Sequence, residues 1–314
     1  MKIVIRMPNW LGDLVMATPI LEEVRLKWPN SHITAICKDP LTPLLHNHPC
    51  VNISLPLSSA KNLKADLGIL LTNSFSSGWH FFRQRIKKTI GYRNEGRSML
   101  LPNLVPFPKE RGSEHLVDTY KRLLNVEHSK SQPTLYISKK EGEKAKQTLI
   151  NYGIPKNAQI IGVNPAAAYG AAKCWLPERF HEITKRFTSS YFVFFGDKSS
   201  YSLIESICKG LGANVINLAG KTTIRELMAL ILQCDAFLTN DSGPMHIAAA
   251  LQVPLLALFG STSDVATSPY QFGTVIHKHV SCSPCYKRVC PIDFKCMTQI
   301  SVDEVEQKLQ TLLN

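Results

Sequence analysis

The chain reads as an α/β protein of two domains, each a parallel sheet covered by helices, with a cleft between them. Three observations predict this. Short apolar runs of strand length alternate with longer amphipathic segments along most of the 314 residues. The alternation pauses at the turn-rich Gly153-Ile-Pro-Lys-Asn157 and then begins again. The stretch 238–262 condenses the pattern into a buried strand, an Asn-Asp-Ser-Gly turn, an Ala-rich helix and a second buried strand. A chain of this length supplies two cores, so domains are expected at 1–154 and 155–314. Ligands are expected beyond the carboxyl ends of the strands.

The elements follow in order. Residues 2–7 form a strand pattern, 12–28 a helix ended by Pro29, and 32–38 and 65–72 two further buried strands. Helix is expected at 78–86, a short strand at 89–92, an amphipathic helix at 113–126 and a charged helix at 139–152. In the second half strands fall at 159–164, 191–195, 215–218, 236–239 and 254–259. Helices fall at 178–188, 201–211, 224–233 and 243–251, and an amphipathic helix at 302–313 is free to pack back on the first domain.

Hydrophobic content of 44% and 19% charged residues are those of an ordinary globular protein. No apolar run approaches the roughly 20 residues a bilayer-spanning helix needs. Met1-Lys-Ile-Val-Ile-Arg6 lacks the longer apolar core of a signal peptide, so a cytoplasmic location with mostly reduced cysteines is expected. Lys and Arg number 36 against 24 Asp and Glu, a net charge of +12, which implies an anionic partner: nucleic acid, anionic membrane or phosphorylated substrate. Arg83, Arg85, Lys87, Lys88, Arg93 and Arg97 cluster among Trp79, Phe81, Phe82 and Tyr92. That mixture suits RNA, a membrane surface or a phosphorylated glycolipid, and reads equally as a solvated basic face.

Three joints carry chemistry. In Asn240-Asp-Ser-Gly-Pro-Met-His246, Asp241 or Ser242 is set to cap a helix, Gly243 allows close approach of a ligand, and His246 lies one turn on. A helix start of this kind suits a phosphate; the plain alternative is a well-capped turn. Asp13 follows the first strand, where a carboxylate serves either as general base or as a first-turn acid on the helix dipole. The small-residue loop after Asn164 holds one lysine, Lys173, placed to cradle a diphosphate.

Other signatures are absent. Gly220-Lys-Thr222 lacks the earlier glycine of a nucleotide P-loop, because Val215 stands there. Neither G-x-G-x-x-G nor G-x-S-x-G nor a D-x-D pair occurs, and the missing D-x-D weakens the case for a metal-dependent sugar transferase. Cys282, Cys285, Cys290 and Cys296 lie within one short segment and could hold zinc or an iron–sulfur cluster, or stand as reduced thiols.

Taken together, six segments resemble the ADP-heptose:lipopolysaccharide heptosyltransferases, more specifically the type II branch. They are Asn9-Trp-Leu-Gly-Asp-Leu-Val-Met16, His115-Leu-Val-Asp-Thr-Tyr120, Asn164-Pro-Ala-Ala-Ala-Tyr-Gly-Ala-Ala-Lys173, Asn217-Leu-Ala-Gly-Lys-Thr222, Asn240-Asp-Ser-Gly-Pro-Met-His246 and Cys282-Ser-Pro-Cys-Tyr-Lys-Arg288 with Cys290-Pro291. The resemblance implies a GT-B fold, two Rossmann-like domains facing across a cleft, with acceptor on the N-terminal side and nucleotide sugar on the C-terminal side. It also implies inverting, metal-independent transfer, with no metal or other cofactor required. It assigns Asp13 as the base. It assigns Lys173, Asn217, Asp241, Ser242, Gly243 and His246 to the ADP-heptose donor. Asn9, Trp10, Gly12, Arg93 and Arg97 fall to the acceptor, a lipid A-linked inner-core oligosaccharide at the anionic inner face of the inner membrane. Nucleic acid is not an implied partner. Two departures stand out: Gly170-Ala-Ala-Lys-Cys-Trp175 replaces a family loop often Gly-Pro-Ala-Lys-Arg-Trp, and Asp264 follows Ser263 where a proline is common. The competing readings are another GT-B glycosyltransferase or a nucleotide-sugar epimerase, and a basic nucleic-acid-binding protein with a metal-stapled tail.

Overall fold

In the computed structural model, residues 1–86, 88–94, 96–101, 104–107 and 112–314 are described. They divide into two compact units, Met1–Tyr136 and Ile137–Asn314.

In the first unit, strand β1 (Lys2–Arg6) leads into two helices, α1 (Leu11–Met16) and α2 (Pro19–Lys27), where the sequence suggests one. The break falls at Pro19, which has no N–H to donate; Thr18 keeps helical angles and bonds the Val15 carbonyl itself, through its N–H at 3.1 Å and its hydroxyl at 2.8 Å. Strands β2 (His32–Cys37), β3 (Ile53–Pro56) and β4 (Leu67–Leu70) follow. Then come α3 (Phe75–Arg83), β5 (Thr89–Arg93), β6 (Val105–Pro106) and α4 (Leu116–Arg122). Among the described residues the sheet order is β3-β2-β1-β4-β5-β6, every pair parallel. Crossing from β1 outward to β3 and then back to β4 makes a topological switch between β1 and β4, and the turn after β1 opens there. Val4, Ile36, Leu70 and Phe81 pack together beneath it.

The second unit opens with α5 (Lys139–Asn151), then β7 (Ile160–Asn164), α6 (Pro177–Arg186), β8 (Tyr191–Phe194), α7 (Tyr201–Cys208) and β9 (Val215–Asn217). There follow α8 (Ile224–Ile231), β10 (Ala236–Asn240), α9 (Gly243–Ala250), β11 (Leu255–Phe259), α10 (Asp264–Thr267), β12 (Thr274–His277), α11 (Lys295–Thr298) and α12 (Val302–Leu313). The parallel order β12-β11-β10-β7-β8-β9 puts this sheet's switch between β7 and β10.

The boundary therefore lies earlier than the turn at 153–157, and α5 belongs to the second unit. The cause is a reciprocal lock between helix starts. Ser138 with Glu141 caps α5, and Thr223 with Glu226 caps α8, each a two-way capping box. Glu141 then takes Arg225 in two bonds of 2.7 Å, while Glu226 takes Lys144 at 2.9 Å. Hydrogen bonding from Arg225 holds the Glu141 carboxyl down to about 2, and Lys144 does the same for Glu226. Ala145 and Leu149 bury the apolar stripe of α5 below these pairs.

The last helix stays with its own unit. Val302, Val305 and Leu309 sit in one core with Trp175, Phe180, Phe192 and Leu256, because α12 presents its apolar stripe to α6, β10 and β11. Trp175 is 1% exposed, meets Phe180 edge-on with centroids 5.1 Å apart, and donates its indole N–H to the Ile300 carbonyl at 3.0 Å. The segment just before α6 is thereby pinned to the chain entering α12.

Candidate active site

The second unit gathers its polar residues at the β7/β10 switch. Both strands end in asparagine, and the two side chains hold the loops rather than reach outward. Asn240 accepts from the Trp175 backbone N–H at 2.9 Å and donates to the Pro165 carbonyl at 2.7 Å. Asn164 donates to the Ala166 carbonyl at 2.8 Å and to the Ser242 hydroxyl at 3.0 Å. Thr239 shares a 3.0 Å hydrogen bond with the same hydroxyl. Ser242 stands at the N-cap of α9, but its side chain makes no cap bond. The sequence expectation of a side-chain cap is corrected here: Asn164 and Thr239 engage Ser242 sideways. Gly243 opens α9 and Pro244 follows it, so the helix start carries no bulky side chain at its first position. His246 lies one turn in and is 5% exposed.

Lys173 and Asp241, 68 residues apart in sequence, meet at 2.5 Å, with side chains 14% and 5% exposed. Thr262 donates its hydroxyl to the same carboxylate oxygen at 2.6 Å. Lysine has three ammonium donors and carboxylate several acceptor positions, so the pairing leaves both groups capacity for a ligand. The ammonium also lies 5.1 Å from the centre of the Tyr169 ring, and the Arg288 guanidinium lies 5.5 Å from that same ring. Tyr169 donates to the Tyr286 carbonyl at 2.6 Å, and Ala172 N–H donates to the Arg288 carbonyl at 3.0 Å. Gly170 makes this seam possible: its φ is +155°, and a Cβ there would collide with the Arg288 carbonyl. Two cations on two distant segments thus flank one tyrosine.

Sequence reasoning missed Thr262, Tyr169 and Arg288 as parts of this constellation. Arg288 stands inside the Cys-Tyr-Lys-Arg motif and Thr262 ends the Gly-Ser-Thr turn, but neither spacing says what each faces. Asn217 is not brought to the cluster. It closes the edge strand β9, where its side chain donates to Glu205 at 2.9 Å and accepts from Ala219 N–H at 3.0 Å. A pocket between α5 and α8 shares no lining residue with the cluster and is walled by the Glu141–Arg225 and Lys144–Glu226 pairs.

In the first unit Asn9, Trp10, Gly12 and Asp13 occupy the turn after β1 and the first turn of α1. Arg6 is 4% exposed; it donates to the Asn9 side-chain oxygen at 2.5 Å and to the Met7 carbonyl at 2.7 Å, which fixes the turn. Trp10 is 67% exposed. Asp13 lies within electrostatic reach of Tyr120 on α4. Burial first, and the Asp13 charge second, hold that phenol well above its ordinary value, so Tyr120 stays neutral. Tyr120 joins Asp13 here although the two motifs lie far apart in sequence.

The basic cluster divides. Arg93 is exposed at the end of β5, as are Arg83, Arg85 and Lys88; Lys87 lies outside the described residues. Arg97 is fully buried and donates to the Thr72 carbonyl. Gly91 makes room for it, since a Cβ there would stand 2.9 Å from the guanidinium. On α3, Phe75, Trp79 and Phe82 are 45%, 45% and 49% exposed and share one face, with the last two rings stacked 5.6 Å apart. Phe81 and Tyr92 are buried. The nine cysteines are unbridged: Cys282 is exposed, Cys285 and Cys290 are partly buried and Cys296 is buried.

Known proteins fit this architecture. Residues 57–295 match glycosyltransferase family 9 (heptosyltransferase). Lipooligosaccharide heptosyltransferase 2 of Campylobacter jejuni is 31% identical, with 99% of each chain covered. The structure of ADP-heptose lps heptosyltransferase II from E. coli superposes with a TM-score of 0.85 at 26% identity, covering 100% of this chain and 98% of that one. A glycosyltransferase family 9 structure from Veillonella parvula superposes with a TM-score of 0.90 at 24% identity, covering 99% and 97%.

Proposed function

The chain belongs to glycosyltransferase family 9, the heptosyltransferases, and we propose that it moves heptose from ADP-heptose to a heptose of the lipopolysaccharide inner core by a single inverting displacement without metal. The observation that carries the reading is the buried Lys173–Asp241–Thr262 cluster at the topological switch, beside the start of α9. Lys173 faces the diphosphate, and the N–H groups of the first turn of α9 complement the charge that grows on the departing ADP. Arg288 supplies the second cation over Tyr169, compensating for Cys174 at the position where the family loop often has arginine. Gly243 and Ser242 admit the donor phosphates closely, and His246, one turn into α9, contacts the donor sugar. Asn217, held by Glu205 and Ala219 at the end of β9, is assigned to the nucleoside end by the family resemblance alone.

Asp13 is the base. It takes the proton from the acceptor hydroxyl as that oxygen bonds to the anomeric carbon, and the carbon–oxygen bond to ADP breaks with its electron pair leaving on the diphosphate. Asn9, Trp10 and Gly12 surround that base, and Arg93 meets acceptor phosphates. Arg97 serves by shaping β5 from inside. No helix among the described residues is long and apolar enough to cross a membrane. The exposed Phe75–Trp79–Phe82 face with Arg83, Arg85 and Lys88 beside it supports peripheral, salt-sensitive contact with an anionic membrane surface.

The test is donor choice. ADP and ADP-heptose should bind the purified chain in preference to UDP- and GDP-sugars, with transfer to a heptose-bearing core acceptor. Absence of adenine preference removes the reading in favour of another GT-B donor or an epimerase.

A further inference from the structure

We propose that Asp264, His277 and His279 form a binding site for one divalent transition-metal cation of the zinc, iron or cobalt class. The three side chains come from the carboxyl ends of neighbouring strands. β11 pairs with β12 so that Phe259 stands opposite His277, and Asp264 begins the short α10 that follows β11. His277 and His279 are two apart, the spacing that puts side chains on one side of an extended chain. Lys278 between them turns away to Glu304 at 2.6 Å. His279 then takes φ +44°, in the left-handed region, and its ring lies 4.1 Å from that of His277.

The distances suit a cation. His277 Nδ1 stands 3.0 Å from one Asp264 oxygen and His279 Nε2 stands 3.3 Å from the other. One donor atom from each residue lies within 4.8 Å of the others. Tetrahedral ligands about 2.0–2.2 Å from a shared metal are separated from each other by about 3.3–3.6 Å, so a movement of a few tenths of an ångström suffices. Two imidazoles and one carboxylate select a transition metal over calcium or magnesium, which prefer oxygen alone.

Hydrogen bonding supplies the decisive detail. The Ser283 hydroxyl donates to the Gly260 carbonyl, so it accepts from His277, whose Nε2 lies 2.7 Å away. Nε2 therefore carries the hydrogen, and Nδ1 presents its lone pair to the Asp264 carboxylate. Two acceptors 3.0 Å apart repel, and either a proton on Nδ1 or a metal cation relieves that; the missing hydrogen bond at Nδ1 favours the metal. Nδ1 is buried and makes no hydrogen bond, and the His277 side chain is 1% exposed. Ser283 plays the part of the outer partner that orients a metal-bound histidine. The segment leaving this cluster carries Tyr286, whose N–H donates to the Ser261 carbonyl at 2.7 Å, and Arg288 against Gly170. A cation here would anchor that segment; the proposed transfer step does not use it.

The experiment titrates zinc(II) alone into the chelator-treated full chain and, in parallel, records the visible spectrum of its cobalt(II) complex. One equivalent is expected to bind, with a cobalt spectrum free of thiolate charge-transfer bands. His279→Ala, at an exposed position, should weaken zinc by more than the roughly 10–100-fold that losing an outer partner costs. Cys282→Ser/Cys285→Ser should bind as wild type does. Three results overturn the proposal: no stoichiometric zinc, wild-type affinity in His279→Ala, or a thiolate-rich cobalt spectrum abolished by the cysteine substitutions, which would give the metal to the thiols.

Discussion

Replacing Lys173 by methionine keeps the aliphatic stem and removes the charge, and this separates its two roles. The Asp241 side chain is 5% exposed and would keep only the 2.6 Å bond from Thr262. Breaking a buried pair by deleting one partner costs roughly 3–5 kcal/mol; the residual 14% exposure of the lysine points to the lower end, about 3 kcal/mol. Adding Asp241→Asn neutralises the stranded carboxylate and should restore most of that loss. Donor binding should behave differently. A hydrogen bond from a charged donor is worth about 1.5–3 kcal/mol, so ADP affinity should fall roughly 10–150-fold in Lys173→Met and stay low in the double variant. Urea unfolding and calorimetric ADP titration read the two effects on the same samples. Wild-type stability together with wild-type ADP affinity in Lys173→Met would refute the reasoning. Recovery of ADP affinity in the double variant would show that the lysine acts only by neutralising Asp241.

Asp13→Asn should lower turnover by about 10²–10⁴-fold while ADP affinity is unchanged, as measured by product formation and calorimetry; near wild-type turnover would remove Asp13 as the base. Arg288→Ala should weaken ADP less than Lys173→Met does, because its guanidinium is exposed, and unchanged affinity would leave Tyr169 with one functional cation. Trp79→Ser with Phe82→Ser should reduce binding to anionic vesicles, and that binding should fall with added salt; salt-independent binding would contradict the electrostatic share of it. His48 is 4% exposed, and burial lowers its imidazole to about 4. Its folded value lies below the unfolded 6.5, so the neutral form contributes stability above pH 6.5 that is lost as pH falls from 6.5 to about 4, on the order of 3 kcal/mol in all. His48→Phe should flatten the unfolding midpoint over that window, and an unaltered pH slope would count against it.

Much of this molecule is legible from residue order. Strand and helix periodicities are local, so the buried runs that became β1, β7, β10 and β11 announce themselves, as do the turns holding Asp13 and Asp241. Among the described residues three of the four edge strands do not, β9 being the exception. Ile53–Pro56, Val105–Pro106 and Thr274–His277 are short and mostly half-exposed, two of them end in proline, and none shows a sustained apolar pattern. The helix at 139–151 reads correctly as a helix, but its allegiance depends on Arg225 and Glu226, which periodicity says nothing about.

The sequence by itself determined the class of fold and the two switch-point turns, and it singled out Lys173 as the lysine proposed for a diphosphate. Only the tertiary structure decided who stands beside whom. It joined Lys173 to Asp241 and Thr262, laid Arg288 against Gly170, drew Arg97 inside while leaving Arg93 outside, and brought Asp264 to His277 and His279. Periodicity records which face a residue takes on its own element, whereas such meetings depend on strand order and on loops crossing between strand ends, and these are fixed only when the whole sheet has formed.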